Sequence, residues 1–547
     1  MRSNLMFLGF LSCFIILYGA YLFSFTLFEG YSTLSSDSFG YVLLARKWSP
    51  YFLPSEAELL IWPAQTYPPG FAWLLAATGA SESSYAGHLV VSVAMLISIV
   101  LMGWWAYREL GWAIGCLLTI SLALLPGAVW SSMSILSENS YLAFTLAALL
   151  LYTFIRTNEN CGPVWYFMLL LCLLAALLTR TIGIALVAAL MTISLFDSSL
   201  LKQKRIIFLL IGFVSICGWQ LWDLVDPQSK EASYLAFLRP ALGTENMALS
   251  ERFIYFFGFV RINLFSMMDA WPNYISPVFS NIWFSLFAYA LLAFCLIATL
   301  LRALRLKLDA IYVFFYLCIL LAWPYPQEMP RFMHPVVMLV LAQPLFLLRS
   351  NAQNGSKVPF KTVAIPFVAL LIFNGLLAQK QLLELRGEAR TKYPAITHSR
   401  EYYSLRDRND AVNRSIVFQN TLSLMKSSKD IIPEKSMVAS VGHASFLIVA
   451  DRPGINLSTI VPINQQLCNL KITNVDYIFI TDVTTAYNPW GLRLFEAYEE
   501  YASYVWSVKD SAGNAIVHIL QLNDAKIDSI LDTSGFECHQ FQDRPLT

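Results

Sequence analysis

The feature that most constrains the fold is a series of long apolar segments separated by short polar ones. An α-helix rises about 1.5 Å per residue, so roughly 20 apolar residues cross the hydrocarbon core of a bilayer. Segments near this length recur throughout the first 380 residues. They predict about eleven transmembrane helices, near residues 6–27, 86–107, 112–130, 138–155, 164–179, 181–197, 206–224, 282–301, 310–324, 332–348 and 362–380.

Composition supports a multi-spanning membrane protein. The chain is 57% hydrophobic and only 13% charged, whereas average soluble proteins carry roughly 25% charged residues. The net charge of +1 gives no electrostatic basis for binding nucleic acid. The first apolar segment is longer than a signal-peptide core and lacks a small-residue cleavage site, so we expect a retained first span.

The distribution of Lys and Arg predicts the orientation. With a cytoplasmic N-terminus, the short inside loops hold 12 Lys and Arg residues. The outside loops before residue 380 hold eight, spread over a much longer sequence. The positive-inside rule favours this arrangement, and an odd number of spans then places the C-terminal region outside.

Two outside loops are long, at about residues 28–85 and 225–281. Both contain short amphipathic stretches, which are typical of helices that lie in the membrane interface. The first loop is the better case, because residues 39–48 mix aromatic, aliphatic and basic side chains. We therefore predict interfacial helices in the first outer loop.

The composition becomes polar after the last predicted span. Strand-like runs at residues 437–441, 477–480 and 515–520 alternate with helical segments. This predicts a transmembrane domain over residues 1–380 and a soluble α/β domain over residues 381–547. Cys468 and Cys538 fall in the second domain, and they could pair if that domain lies outside the cytoplasm.

Charged residues collect at the predicted outer ends of the spans. Such charges are costly unless they are paired, solvated or functional. They are Asp37 after the first span, Glu138 at the start of the fourth, Arg180 between the fifth and sixth, and Glu328, Arg331 and His334 between the ninth and tenth.

A lipid-linked phosphate is a natural ligand for this set, since its tail lies in the bilayer and its anionic head lies at the interface. Arginine offers a planar charged fork for phosphate oxygens. A phosphate leaving group needs cationic stabilisation rather than protonation. A single carboxylate acting as general base would then suffice, unlike the two that glycosidases need. This chemistry favours direct in-line displacement with inversion.

Five segments, taken in order, resemble the landmarks of polytopic GT-C class glycosyltransferases, nearest to the bacterial protein-mannosyltransferase and aminoarabinose-transferase-like enzymes. The segments are Asp37–Tyr41, Tyr67–Phe71, Ser137-Glu138, Thr179–Gly183 and Arg331–Pro335. The resemblance covers about residues 1–380, with a looser likeness of the C-terminal domain to the periplasmic domains of some members. One departure is Ser38, because the mannosyltransferases carry Glu after the aspartate.

The resemblance implies transfer of a sugar from a polyprenyl-phosphate donor on the periplasmic face of the bacterial inner membrane. It also implies that Asp37 matches the catalytic loop aspartate of the family. We expect Arg180 and Arg331 to contact the donor phosphate, with His334 and Tyr67 assisting. The remaining residues expected to line the site are Tyr41, Glu138 and Glu328.

Structural alternatives exist for each of these residues. Asp37 could cap the interfacial helix that follows it. Arg180 could be a boundary arginine whose head reaches the interface. Glu138 could interact with a helix dipole, and Glu328 and Arg331 could pair only with each other. Tyr41 could anchor at the interface, as could His334.

We expect no cofactor beyond the donor lipid. No dedicated metal cage is evident, although two carboxylates on different loops could still share an ion, and independence from divalent metal is what the family resemblance implies. The expected partners are the lipid-linked donor, membrane lipid, and a protein, lipid or glycan acceptor. One alternative function is a transporter, although these usually show internal repeats and charges near the midplane. Another is a ligase or polymerase that moves whole lipid-linked glycans.

Overall fold

The structure is a computed structural model. It describes residues 2–30, 36–51, 67–225, 249–275, 282–323, 326–353, 359–404, 408–440, 443–456, 463–481, 498, 502–509, 515–523, 525–528 and 531. Within these ranges the helices are α1 (Arg2–Thr26), α2 (Ser36–Trp48), α3 (Pro69–Ala77), α4 (Ser84–Leu110), α5 (Trp112–Ala123), α6 (Pro126–Trp130), α7 (Glu138–Thr157), α8 (Pro163–Thr179), α9 (Ile184–Phe196), α10 (Lys202–Val225), α11 (Leu249–Ile275), α12 (Ile282–Leu304), α13 (Leu308–Leu321), α14 (Met329–Gln353), α15 (Phe360–Lys392), α16 (Arg400–Ser404), α17 (Arg408–Ser427), α18 (His443–Ala450) and α19 (Ile463–Ile472).

The apolar helices confirm a multi-pass membrane protein. Among the described helices, eight are long and apolar enough to cross a membrane, namely α1, α4, α7, α10, α11, α12, α14 and α15. Four more apolar helices, α5, α8, α9 and α13, are shorter. Each of the eleven predicted spans overlaps one of these twelve helices, although α5 ends at Ala123 inside the predicted span 112–130. Helix α11 is the one that was not predicted.

Polar contacts between helices identify the two ends of the bundle. Asp37 contacts the start of α14 at one end, which we call the Asp37 end. At the opposite end, Arg302 near the end of α12 binds Asp309 at the start of α13 with distances of 2.8 and 2.9 Å. We call this the Arg302 end.

Helix α11 corrects the description of residues 225–281 as a loop with only short helical stretches. Its length and composition would allow it to cross a membrane, and the contacts of its C-terminal half are made at the Asp37 end. Asn263 donates hydrogen bonds to the carbonyls of Leu321 (2.8 Å) and Trp323 (2.7 Å), just where α13 ends. Trp271 donates to the Ala288 carbonyl near the start of α12, at 2.9 Å. The C-terminal half of α11 therefore lies at the Asp37 end of the bundle.

The predicted interfacial helices of the first outer loop are present as α2 and α3. Proline opens α3 because its fixed φ suits the first helical turn and its missing N–H would be unpaired there anyway. Gly70 allows α3 to approach α8 closely, since a Cβ at this position would lie 2.7 Å from the carbonyl oxygen of Leu178. A larger residue would push α3 away from the end of α8.

The C-terminal domain contains a five-stranded mixed sheet with the order β2-β1-β3-β5-β4. The strands are β1 (Val438–Ser440), β2 (Gly454–Asn456), β3 (Tyr477–Thr481), β4 (Ala502–Lys509) and β5 (Ala515–Leu522). β1 pairs in parallel with β2 and β3, whereas β5 pairs antiparallel with β3 and β4. The three predicted strands are confirmed as β1, β3 and β5. Helix α15 continues past residue 380 to Lys392, so the last span and the start of the polar linker form one helix.

The C-terminal domain packs directly on α2. Buried side chains of α2 and α3, such as Leu43 and Phe71, share one apolar cluster with Phe446 of α18 and Phe479 of β3. All four are at most 2% exposed. Helix α2 is therefore held between the bundle and the soluble domain, and it carries Asp37.

Candidate active site

Four charged side chains form one connected cluster at the Asp37 end. Arg331 binds Asp37 through Nη1 and Glu138 through Nε. Arg180 binds the same oxygen of Glu138 from the other side. Glu328 is more distant, with its Oε2 atom 3.8 Å from Arg331 Nη1. The structure thus joins Asp37, Glu138, Arg180 and Arg331, which four separate segments of the chain supply, and leaves Glu328 at the edge.

The cluster is closed on one side and open on the other. The side chains of Glu138 and Arg331 are only 3% and 6% exposed, whereas that of Asp37 is 28% exposed. Buried charges are unfavourable unless they are paired and hydrogen-bonded. Glu138 therefore works as the inner counter-ion of both arginines, and Asp37 is the member of the four that an incoming molecule reaches most easily.

Both oxygens of the Asp37 carboxylate are engaged. Arg331 binds Oδ2, and the hydroxyl of Tyr67 donates to Oδ1 at 2.7 Å. Burial opposes ionisation, but Arg331 and the hydrogen bond from Tyr67 hold the pKa of Asp37 below its usual value. Burial and the adjacent carboxylate raise the pKa of the Tyr67 phenol well above its usual value. At neutral pH Asp37 is therefore a carboxylate and Tyr67 a hydrogen-bond donor.

The capping alternative for Asp37 is compatible with this geometry. Asp37 lies in the first turn of α2, where a negative charge interacts favourably with the helix dipole. Its carboxylate nevertheless points to partners on two other segments of the chain. The same residue can therefore stabilise the start of α2 and belong to the charged cluster.

Tyr67 is positioned by the surface of α2. A Cβ on Gly40 would lie 2.7 Å from Cε2 of Tyr67, so the absence of a side chain at Gly40 makes room for the ring. The ring of Tyr41 packs against that of Tyr67 with a centroid distance of 4.6 Å. The Tyr41 hydroxyl bonds Ser137 Oγ at 2.9 Å. Tyr41 therefore supports Tyr67 and ties α2 to the segment before Glu138.

His334 lies one helical turn from Arg331 but makes its hydrogen bond elsewhere. Its Nε2 atom is 2.9 Å from Oδ1 of Asn139. The imidazole ring also packs near Trp130 and Tyr274, at centroid distances of 5.8 and 6.3 Å. His334 is 3% exposed. In this structure it supports the residue next to Glu138 rather than facing the open side of the cluster.

Phe332 belongs to the site although the sequence analysis did not single it out. The guanidinium groups of Arg180 and Arg331 lie 5.1 and 5.4 Å from the centre of its ring. The Tyr316 hydroxyl donates to the Phe332 carbonyl at 2.7 Å and fixes this part of α14. A phenylalanine in an apolar span is ordinarily a core residue, so only its position beside Arg331 hinted at this role.

A small cavity of about 10 Å³ adjoins Arg180. Its other lining residues are mostly apolar, namely Thr181, Ile182, Leu320, Trp323 and Phe332. This volume holds about one water molecule. The cavity therefore joins a cation to an apolar wall but is too small for a sugar or a lipid without movement of side chains.

Across the described ranges, no group of three or more His, Cys, Asp or Glu residues has the arrangement to hold a metal ion. The carboxylates of the cluster instead have arginines as partners. Independence from divalent metal stays a prediction.

Comparison with known proteins gives similarity in structure only. No protein-family model matches the chain, and no curated protein matches it. Solved structures of ArnT from Cupriavidus metallidurans, in the apo state and bound to undecaprenyl phosphate, have TM-scores of 0.49 and 0.48. Both are 11% identical, and each comparison covers 95% of this chain and 98% of ArnT.

The apo oligosaccharyltransferase of Archaeoglobus fulgidus is also similar. It has a TM-score of 0.45 and 12% identity, over 93% of this chain and 74% of that one. At these scores and identities, the likeness does not by itself establish a function.

Proposed function

We propose that this protein is a membrane glycosyltransferase that moves a single sugar from a polyprenyl-phosphate donor to an envelope acceptor. The observation that carries the proposal is the position of Arg331 between Asp37 and Glu138. It sets an accessible carboxylate beside two guanidinium groups at one end of a membrane bundle. The resemblance of the ordered motifs to GT-C glycosyltransferases supports the same reaction.

The two arginines form the donor-phosphate site. Arg180 and Arg331 lie against one aromatic ring, that of Phe332, so their guanidinium groups are close together. Arginine binds phosphate oxygens in a bidentate manner and stays charged at all relevant pH values. Glu138 holds both side chains in place before the donor arrives. Charge that develops on the phosphate oxygen as the glycosidic bond breaks is thereby stabilised.

The apolar wall beside Arg180 suits a lipid-linked donor. Ile182, Leu320 and Trp323 line the small cavity there. The phosphate would bind at the arginines while the first isoprenoid units lie against this wall. Because the cavity is small, donor binding requires these side chains to move apart.

Asp37 acts as the general base. In the structure, Arg331 donates a hydrogen bond to Oδ2 of Asp37. When the donor phosphate accepts that hydrogen bond instead, Oδ2 becomes available to the acceptor hydroxyl. The acceptor oxygen bonds to the anomeric carbon, and its proton passes to the Asp37 carboxylate. The bond from that carbon to the phosphate oxygen breaks, and polyprenyl phosphate leaves with the electron pair. Attack opposite the leaving group inverts the anomeric configuration.

The orientation is part of the proposal. We place the protein in the bacterial inner membrane, with the Asp37 end and the C-terminal domain in the periplasm. The Lys and Arg residues of the inside loops support this, and so does the disulfide bond of Cys468, since such bonds persist in oxidising compartments. Cys538, the expected partner of Cys468, lies outside the described residues.

The proposal is tested with purified full-length protein in liposomes. Polyprenyl-phosphate sugars prepared from the lipid extract of a deletion strain would serve as donors, because the unused donor accumulates there. Mass spectrometry of the recovered acceptor should show the mass of one added sugar and release of polyprenyl phosphate. Addition of a whole oligosaccharide would favour a ligase, and movement of solute without any transfer would favour a transporter.

A further inference from the structure

A second polar cavity lies at the Arg302 end, far along the bundle from the Asp37 cluster. It has a volume of about 270 Å³ and is formed where α4, α7, α12, α13 and α14 come together. Its charged lining consists of Arg156, Arg302, Lys307, Arg349, Glu109 and Asp309. None of these residues has a part in the proposed transfer reaction.

Two of the four cations are neutralised by carboxylates. Arg302 binds both oxygens of Asp309, at 2.9 and 2.8 Å, and Gln343 Oε1 at 2.6 Å. Arg156 binds Asp197 at 2.9 Å. The Arg302–Asp309 pair is buried and has a further hydrogen bond to Gln343, which fixes the geometry of these side chains. The Arg156 side chain is partly exposed, at 27%.

The other two cations are not neutralised in this way, although the guanidinium group of Arg349 lies 5.5 Å from the centre of the Phe360 ring. Within the part of the chain that the structure describes, neither Lys307 nor Arg349 has a carboxylate within 4.0 Å. The Nε atom of Arg349 is buried and has no hydrogen-bond partner among the described residues. When the negative charge of Glu109 is subtracted from the positive charges of Lys307 and Arg349, the cavity keeps an excess of positive charge. Buried donors without acceptors are unfavourable, so a bound acceptor would stabilise this arrangement.

The electrostatic environment of Lys307 agrees with this picture. Burial and the positive charges of Arg156 and Arg302 lower the pKa of its ammonium group below the usual value, although the carboxylates of Asp309 and Glu109 oppose this shift. Repulsion between neighbouring cations is relieved when an anion binds among them.

The geometry also indicates the kind of anion. Arginine and lysine together are typical phosphate ligands. The volume is near the lower limit of small-ligand pockets, roughly 300–1,000 Å³, which suits a phosphate headgroup rather than a whole lipid. Trp105, Leu149 and Phe346 provide an apolar wall next to the cations. Such a wall suits the apolar part of a lipid beside its headgroup.

We propose that this cavity is a binding site for a phosphate-bearing anion, with Lys307 and Arg349 as its principal ligands. The phosphate can come from a phospholipid of the adjacent leaflet or from free phosphate. This site is independent of the proposed transfer function, so the failure of one does not decide the other.

The test measures binding of two probes to full-length protein in detergent. Dioleoylphosphatidylglycerol binding is measured by native mass spectrometry, and sodium phosphate binding by calorimetry against sodium chloride at equal ionic strength. The variant Lys307→Gln/Arg349→Gln removes the two available cations. Lys202→Gln/Lys361→Gln is the matched control, because it removes two exposed positive charges elsewhere on the chain.

A third variant keeps the charge and fills the space. Thr153 lines the cavity and its hydroxyl bonds only its own helix, at Leu149 O (2.8 Å). Thr153→Phe should therefore block the cavity without removing a cation. We expect Thr153→Phe and the double variant Lys307→Gln/Arg349→Gln each to weaken the binding of a single lipid molecule about tenfold or more. The control should bind lipid as the wild type does.

The two probes separate the sources of the phosphate. Loss of lipid binding in the cavity variants identifies a headgroup site. Loss of phosphate binding with unchanged lipid binding identifies a free-phosphate site. Equal binding of both probes by wild type, control and cavity variants would overturn the proposal. Folding is checked by gel filtration and thermal unfolding, and Thr153→Phe remains informative if the double variant does not fold.

Discussion

Arg331 binds the carboxylate of Asp37 although the two residues lie 294 positions apart in the chain. One belongs to a helix of the first outer loop and the other to the first turn of α14. The same guanidinium group also binds Glu138. The site therefore forms only when these separate segments pack together in the folded bundle, and its ion pairs link the segments at the Asp37 end.

Replacing Arg331 by lysine should break one of its two contacts, with Asp37 or with Glu138, and leave the other. Lysine keeps the charge but lacks the planar fork, so Arg331→Lys should lose one of the bonds to Asp37 and Glu138. We expect the KM for the donor to rise about tenfold or more, as measured by steady-state transfer at varied donor concentration. Arg305→Lys is the control, because Arg305 is exposed and bonds Asn351 at the opposite end. An unchanged donor KM in Arg331→Lys would argue against phosphate binding.

Gly40→Ala tests the positioning of Tyr67. Alanine favours a helix by about 1 kcal/mol over glycine, but its Cβ would lie 2.7 Å from the Tyr67 ring. We expect transfer to fall several-fold while thermal unfolding changes little, since the ring can move away only by leaving Asp37. Gly387→Ala is the matched control, because no atom lies within 4 Å of a Cβ there. Wild-type transfer by Gly40→Ala would show that the ring position is unimportant.

Tyr67→Phe should change the pH dependence of transfer. The hydrogen bond from Tyr67 helps to lower the pKa of Asp37, so its removal raises that pKa. Because the base must be ionised, activity is present above this pKa and is lost as the pH falls through it. The acidic limb of kcat, measured from about pH 4 to pH 8, should therefore shift to higher pH. Tyr85→Phe, at an exposed position, should leave it in place. A limb that stays fixed or shifts to lower pH would contradict this role.

Phe446→Ala tests the coupling of the C-terminal domain to α2. Phe446 is fully buried, packs on Phe479 at a centroid distance of 4.9 Å, and shares a cluster with α2. Truncation of such a side chain costs about 3–5 kcal/mol. Hydrogen exchange of residues 36–48 should become faster, and transfer should fall with it.

Leu467→Ala is the control for this coupling. Leu467 is equally buried but belongs to a different cluster of the same domain, which does not include α2. It should destabilise the domain without faster exchange in α2. Equal acceleration of α2 exchange by both variants would mean that the effect is general loss of stability.

The parts of the fold that depend on local pattern could be predicted. Apolar length located seven of the eight helices long enough to cross a membrane and the four shorter apolar helices. Short apolar runs located β1, β3 and β5. Helix α11 was missed because apolar residues in an outer loop carry no sign of what they pack on, and Asn263 and Trp271 find their partners only in the folded bundle. Strands β2 and β4 were not predicted, because neither Gly454–Asn456 nor Ala502–Lys509 is a continuous apolar run.

The candidate site was predictable only in part. The predicted orientation of the spans placed Asp37, Arg180 and Arg331 at one end of the bundle, where charges at the ends of spans need partners. It did not give the pairing, in which Glu138 lies between two arginines. Nor did it give the partner of His334, whose hydrogen bond goes to Asn139, and the expected help of His334 in donor binding stays a prediction.

The most direct test of the account is the transfer rate of the Asp37→Asn variant, measured with purified protein, a polyprenyl-phosphate sugar and the acceptor. Asparagine keeps the size of the side chain and removes the base. General-base catalysis typically contributes about 10²–10⁴-fold, so the rate should fall by at least about 100-fold while the protein stays folded. Glu384→Gln, an exposed carboxylate on α15, should transfer at the wild-type rate. Wild-type transfer by folded Asp37→Asn would contradict the assignment of Asp37 as the base.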